Sequence, residues 1–296
     1  MAIDEFRAVL KAREFVRNVR PVTFPVAVEI YAREARAVIR PQTDLGPDEA
    51  GYCFQNNGKH FICTNANDRA ERQRFTVCHE IAHIVLGLPS QHGASPWWSY
   101  AKRPLAEILC DIFAAELLLP YDLFQPQADN SSISLAAIDD LAERFQASVT
   151  ATGSRYAAVA STPLAFVLSE QGKVRYASRS NPLKDAYAWI PPRLDLPDGC
   201  FSKKARAGTP CASPEQVDAD VWFSEWERGG ILLEESRHLA PWDQTLTLLW
   251  FKDGEVPPKK LRDDRGEVLE NDEDENDGLL KELDGNLRWP GKRRRR

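Results

Sequence analysis

The sequence predicts an α+β protein: a mainly helical half with a small β-sheet and helix-turn-helix-like helices, then a second mixed α/β half, then a disordered tail. Three observations predict this. Apolar residues recur at helical spacing through most of the first 160 residues. After Pro163 the apolar runs shorten, become rich in Val, Leu, Phe, Trp and Thr, and are punctuated by Gly, Pro and Asp. Beyond Pro257 and Pro258 the apolar pattern stops. The chain has 296 residues, enough for about two domains, and we place their limits at 1–162, 163–254 and, for the tail, 255–296.

Each element has its own signal. Residues 4–19 predict a helix with Asp4 as N-cap and Phe6, Val9, Leu10 and Phe15 along one side. A second short helix is expected over 25–36. GYCF and KHFICT, within 51–64, flank Asn56, Asn57 and Gly58, a β-hairpin signal. From Asp68 the pattern is helical through Leu86, with Asp68 and Glu71 spaced as a capping box and Gly87 and Pro89 as a stop. The next helix, 104–119, opens on Pro104. Ser134 and Ser148 are N-cap candidates for helices over 135–146 and 149–160, which are spaced like a helix-turn-helix. Strands are expected at 164–169, 173–178, 219–226, 230–235 and 244–251. Residues 263–277 hold nine acids and one base and the chain ends KRRRR, a composition that does not fold by itself.

Composition narrows the function. No uncharged apolar run approaches the roughly 18 residues of a membrane span, and the start MAIDEFRAVLKAREF lacks the pattern of a secretory signal, so a cytoplasmic protein is expected. The six cysteines form no CxxC pair and read as reduced, buried small hydrophobes. A net charge of -6 argues against a general nucleic-acid binder. In the helix-turn-helix-like pair Arg155 is the only base of the second helix, while Asp139, Asp140 and Glu143 line the first, so DNA binding is not expected there.

The chemistry is concentrated in HEIAH. At about 100° per residue His79 and His83 lie about 40° apart on one helix face, so both imidazoles reach one metal ion. Glu80 stands beside that ion, where its carboxylate can take a proton from a water. The rest of this helix is apolar around most of its circumference, and a metal satisfies the one polar strip together. A third ligand is required. The HExxHxxGxxH form is excluded, because Leu86 and Pro89 stand where it needs Gly and His, and His92 lies past the helix stop. Glu107 and Asp111 share a carboxylate face on the 104–119 helix, opposite Leu105, Ile108, Leu109 and Ile112. We therefore assign Glu107 as the third ligand and Asp111 as the acceptor that orients a ligand histidine through its other ring nitrogen. Glu116 falls in the apolar stripe of the same helix and is expected to pair with Arg72 or Arg74.

The segments ERQRFTVCHEIAHIVLG, AEILCDIFAAELLLP and LAERFQASVTATGSRY, in that order, resemble the ImmA/IrrE family of zinc metallopeptidases. The resemblance covers roughly residues 25–160. It implies a zincin-like, gluzincin-type site holding one zinc ion per chain. His79 and His83 fall on the ligand histidines, Glu80 on the catalytic Glu, Glu107 on the acid that opens the family's ExxxN/D-x-FA pattern, and Asp111 on its last polar place. Cys78 stands where alanine is common. The resemblance also implies a protein substrate, a DNA-binding helix-turn-helix repressor whose cleavage switches on stress-response or mobile-element genes. It further implies that residues 163–254 form a GAF-like sensor domain. The competing expectation is a metal-dependent regulatory module that grips a repressor or senses a ligand without cutting. Tyr100 and Tyr156 are candidates for stabilising an oxyanion, each more readily a packing residue. Neither nucleic acid nor membrane is an expected direct partner.

Overall fold

The computed structural model describes residues 4–21, 23–89, 104–209, 213–223 and 230–252. Helix α1 (Glu5–Val19) begins as predicted, with the Asp4 carboxylate accepting the Arg7 backbone N–H at 2.8 Å. It buries Ala8, Ala12, Phe15 and Val16. Helix α2 (Val28–Glu34) is shorter than the predicted 25–36. Its N-cap is the extended Ala27, because Pro25 keeps the preceding residue out of helical backbone and delays the start.

Strand β1 (Ala37–Gln42) was not anticipated: Pro41 obscures its alternation, and Pro is tolerated because β1 is an edge. The expected hairpin forms from β2 (Gly51–Asn56) and β3 (Lys59–Asn65). Asn57 and Gly58 both take positive φ, 48° and 75°, as a two-residue turn of this hand requires. The sheet order is β1-β3-β2, with β1 parallel and β2 antiparallel to β3.

Helix α3 (Ala70–Leu86) carries HEIAH and ends on Gly87 at φ 65°. The predicted capping box is corrected: Arg69 is the N-cap without a side-chain bond, and Asp68 is drawn instead into an ion pair with Arg72 at 3.1 Å. Helix α4 (Leu105–Leu118) packs along α3, and α5 (Tyr121–Asp129), hidden in the sequence by Pro126, follows it. Ser134 and Ser148 cap α6 (Leu135–Phe145) and α7 (Val149–Val159) as expected.

The second half is an antiparallel sheet of β4 (Leu164–Glu170), β5 (Lys173–Arg179), β6 (Glu215–Asp218), β7 (Ile231–Leu239) and β8 (Gln244–Phe251), in the order β5-β4-β8-β7-β6. Short helices α8 (Asn181–Asp185), α9 (Phe201–Arg206) and α10 (Ala219–Trp222) interrupt it. The strand predicted at 219–226 is corrected, since its first four residues are α10. Ala219 and Trp222, three apart, are both buried, which one helical turn achieves and an alternating strand does not. Residues 224–226 lie outside the described residues, as do His92, Tyr100 and the tail from 255.

Both faces of this sheet are covered. Leu164, Phe166, Leu168, Leu246, Leu248 and Trp250 join the core of the helical half, while Ala165, Val167, Leu249 and Phe251 face a second cluster that includes Leu183, Cys200 and Trp222. Hence β4 and β8 read as continuous apolar runs. Gly153 of α7 lies so close to Phe166 that an added Cβ would stand 2.4 Å from its ring. On β7, Glu235 accepts the Leu135 N–H at the start of α6 at 2.8 Å, and Arg237 makes a two-pronged pair with Asp139. Among the described residues no helix is long and apolar enough to cross a membrane.

Candidate metal centre

Helices α3 and α4 lie side by side and bring His79, His83 and Glu107 together, with one ligand atom from each within 4.8 Å of the other two. His79 Nε2 is 3.1 Å from His83 Nε2 and 3.1 Å from Glu107 Oε2, and His83 Nε2 is 3.5 Å from Glu107 Oε1. The outer ring nitrogens settle the tautomers. His79 Nδ1 meets Asp111 Oδ1 at 2.9 Å and His83 Nδ1 meets the Leu88 carbonyl at 3.3 Å. A carboxylate and a carbonyl only accept, so each Nδ1 carries a hydrogen and each Nε2 faces inward, where a bound ion would take its lone pair.

Two inward lone pairs and a carboxylate at these separations demand a positive charge between them. The electrostatics express the same demand. Burial pulls the His79 pKa down, yet its bonds to Asp111 and Glu107 outweigh that and push it up to about 10. Burial works to raise Glu107, but the bonds and charges of His79 and His83 hold it well below the usual carboxylate range. Two imidazoles and a carboxylate match the donor set of a divalent zinc-type ion, and Glu107 Oε1 is buried with no hydrogen-bond partner. The residues fit a metal.

Glu80 is 4% exposed, and its Oε2 is buried without a hydrogen-bond partner. Cys53 of β2 borders it: burial, then the Glu80 carboxylate, push its thiol up to about 12. Sequence reasoning named neither Cys53 nor the Leu88 carbonyl as neighbours of this site. The first needs the β2 to α3 contact. The second had a signal, since Gly87 returns the chain over the last turn of α3.

The expected partner of Glu116 is corrected. Glu116 pairs with Arg155 at 2.8 Å and Arg13 at 3.4 Å, not with Arg72 or Arg74. Arg74 is occupied by the Val26 and Gln146 carbonyls. Arg155, 5% exposed, is therefore no phosphate contact. Tyr156 is buried and donates to the Ser132 carbonyl at 3.2 Å, as a packing residue does. Cys53, Cys63, Cys78, Cys110 and Cys200 are free thiols.

The site lies in a segment that is similar to known proteins. The family model of the IrrE N-terminal-like domain, a peptidase family, matches residues 38–156, which contain every residue of the centre. This segment resembles the ImmA/IrrE family. The radiation response metalloprotease IrrE of Deinococcus deserti is 36% identical over 103 residues, covering 33% of this chain and 35% of the relative. Its namesake from Deinococcus radiodurans is 33% identical over 111 residues, covering 36% and 33%. The chain thus spans about a third of the length of these curated relatives. Beyond the IrrE-like segment, a Mycobacterium tuberculosis transcriptional regulator shares the fold at TM-score 0.52 and 14% identity, over 88% of this chain and 82% of that one.

Proposed function

We propose that this chain is a zinc-dependent endopeptidase, with His79, His83 and Glu107 as ligands of one ion and Glu80 as general base. The observation that carries the reading is the inward convergence of two Nε2 lone pairs and a carboxylate beside a buried, unpartnered Glu80 oxygen. A divalent ion held by this set supplies Lewis acidity, which acidifies water and polarises a carbonyl. Glu80 accepts the proton of the attacking water and delivers it to the leaving amine. Asp111 and the Leu88 carbonyl fix the two imidazoles, and β2, an edge strand, offers backbone groups along which an extended peptide can pair.

The resemblance to radiation-response metalloproteases supports a regulatory outcome in stress response, and the proposal extends to a helix-turn-helix repressor as substrate and a cytoplasmic setting. The proposal extends also to a sensor-like role for the sheet half from residue 163, which lies beyond the matched segment 38–156. The test replaces Glu80 by Gln, which spares the ligands, and incubates the chain with helix-turn-helix proteins encoded by neighbouring genes. Cleavage by the parent and none by the metal-loaded variant is the expected result. If the variant relieves repression as well as the parent, the chain acts by binding alone.

A further inference from the structure

Strand β2 lies against helix α3, and matching steps along the two elements align them. A Cβ added to Gly51 would stand 2.7 Å from Thr76 Cγ2, so β2 presses on α3 at this point. Two residues along β2, about 7 Å, lead to Cys53 on the same face of the sheet. Four residues along α3, about 6 Å, lead from Thr76 to Glu80 on the same side of the helix. The Cys53 thiol thereby comes within hydrogen-bonding reach of the Glu80 carboxylate. Cys53 also packs against the core of the helical half, and it stands on the edge strand along which a peptide can pair.

Glu80 has little else to hold it. It is buried, its Oε2 has no hydrogen-bond partner, and among the described residues no other side chain forms a hydrogen bond or ion pair with it. Cys110 of α4 is the other thiol nearby, but it is fully buried, and Glu107 and Asp111 of its own helix act on it more strongly than Glu80 does. A buried base needs one oxygen steadied and the other left open. A thiol is a weak donor, so it orients a carboxylate without closing off the second oxygen. The charge of the acceptor strengthens that bond. A residue that only fills space here needs volume alone, which Val supplies as well as Cys.

We propose that Cys53 is a positioning residue for the general base: its S–H donates to one Glu80 oxygen, leaves Oε2 for the water that is deprotonated, and ties the base to the strand that holds the substrate. This deepens the endopeptidase reading and rests on it for its catalytic consequence, while the bond itself is read without cleavage.

The bond is measured by infrared spectroscopy of the S–H stretch on the full chain, the Cys53 band being the one absent from Cys53→Ala. It is expected at lower frequency than that of a thiol without an acceptor, and it is expected to move up in Glu80→Gln, whose neutral amide is the weaker acceptor. A Cys53 band that Glu80→Gln leaves in place overturns the proposal. Cys53→Val identifies the same band if circular dichroism shows the alanine variant unfolded. The catalytic consequence is read on a helix-turn-helix protein that the parent cleaves, with each variant loaded with zinc. Cys53→Ala and Cys53→Val are expected to lose about tenfold in kcat, the worth of about one hydrogen bond, with KM and zinc content unchanged. Cys53→Ser keeps a donor and is expected to recover most of that loss. Equal losses in the serine and valine variants assign Cys53 to packing and overturn the proposal. Cleavage of no such protein by the parent counts against the endopeptidase reading, and the infrared shift alone then decides the bond.

Discussion

Asp111 accepts from His79 at 2.9 Å across the contact of α3 and α4, one helical turn beyond Glu107. Two carboxylates of one helix thus hold the two nitrogens of one imidazole, Glu107 from the inner side and Asp111 from the outer. Rigid placement of the ring follows without any contribution from the loop after α3.

Removing the outer bond leaves the ligands but frees the ring. Asp111→Ala is expected to weaken metal binding about 10- to 100-fold with the fold retained, measured by chelator competition. An unchanged affinity would mean that Asp111 has no part in the centre.

Elemental analysis addresses the ligand set directly. The purified parent is expected to carry near-stoichiometric zinc, and His79→Ala and Glu107→Ala to lose most of it. Zinc that survives Glu107→Ala would remove Glu107 from the set.

The Glu116 to Arg155 pair ties α4 to α7 in the core, with side chains 3% and 5% exposed. Arg155→Ala leaves a buried carboxylate with Arg13 as a poorer partner, and a loss of about 3 to 5 kcal/mol in denaturant unfolding is expected. A loss under about 1 kcal/mol would show that Arg13 suffices.

Position 153 tests the seam between helices and sheet. Gly153→Ala adds helix propensity worth up to about 1 kcal/mol, yet its Cβ would meet the Phe166 ring at 2.4 Å. A net destabilisation of about 1 to 3 kcal/mol is expected by thermal unfolding. A gain in stability would show that Phe166 moves aside freely.

Thiol labelling reads the pH behaviour of Cys53. Its pKa is raised, to about 12, so the reactive thiolate is scarce at neutral pH and gains about tenfold per unit as pH rises toward that value. Alkylation followed by mass spectrometry is expected to climb steadily beyond pH 9, without the plateau of an ordinary thiol near 8.5. A plateau below pH 9 would contradict the burial that raises it.

What the sequence disclosed depended on how local the cause was. The face shared by His79 and His83, the caps at Ser134 and Ser148 and the turn at Asn57 and Gly58 each rest on residues within about one turn, and each was legible. The arrangement of Glu107 and Asp111 was legible too, because one helix carries both. Partners across distant elements were not: Glu116 reaches Arg155, 39 residues away, although Arg72 and Arg74 looked available. Local rules also lost to stronger local competitors. The capping box at Asp68 gave way to an ion pair with Arg72, and the apolar run at 219 became a helical turn so that Trp222 could donate to the buried Glu234 at 3.0 Å. The parallel pairing of β1 with β3, which aligns Val38 with Phe61, was beyond any pattern read along the chain.

The pairing of β4 with β8 also dictates an order of events as the chain is made. Glu170 meets Gln244, 74 residues later, and no nearer strand can cover that edge of β4. At about 5 to 20 residues per second, Phe166 and Leu168 wait for Leu246 and Leu248 for about 4 to 15 seconds after leaving the ribosome. Over that interval the completed helical half presents an apolar flank around Gly153, and its safety from aggregation rests on chaperones or on speed.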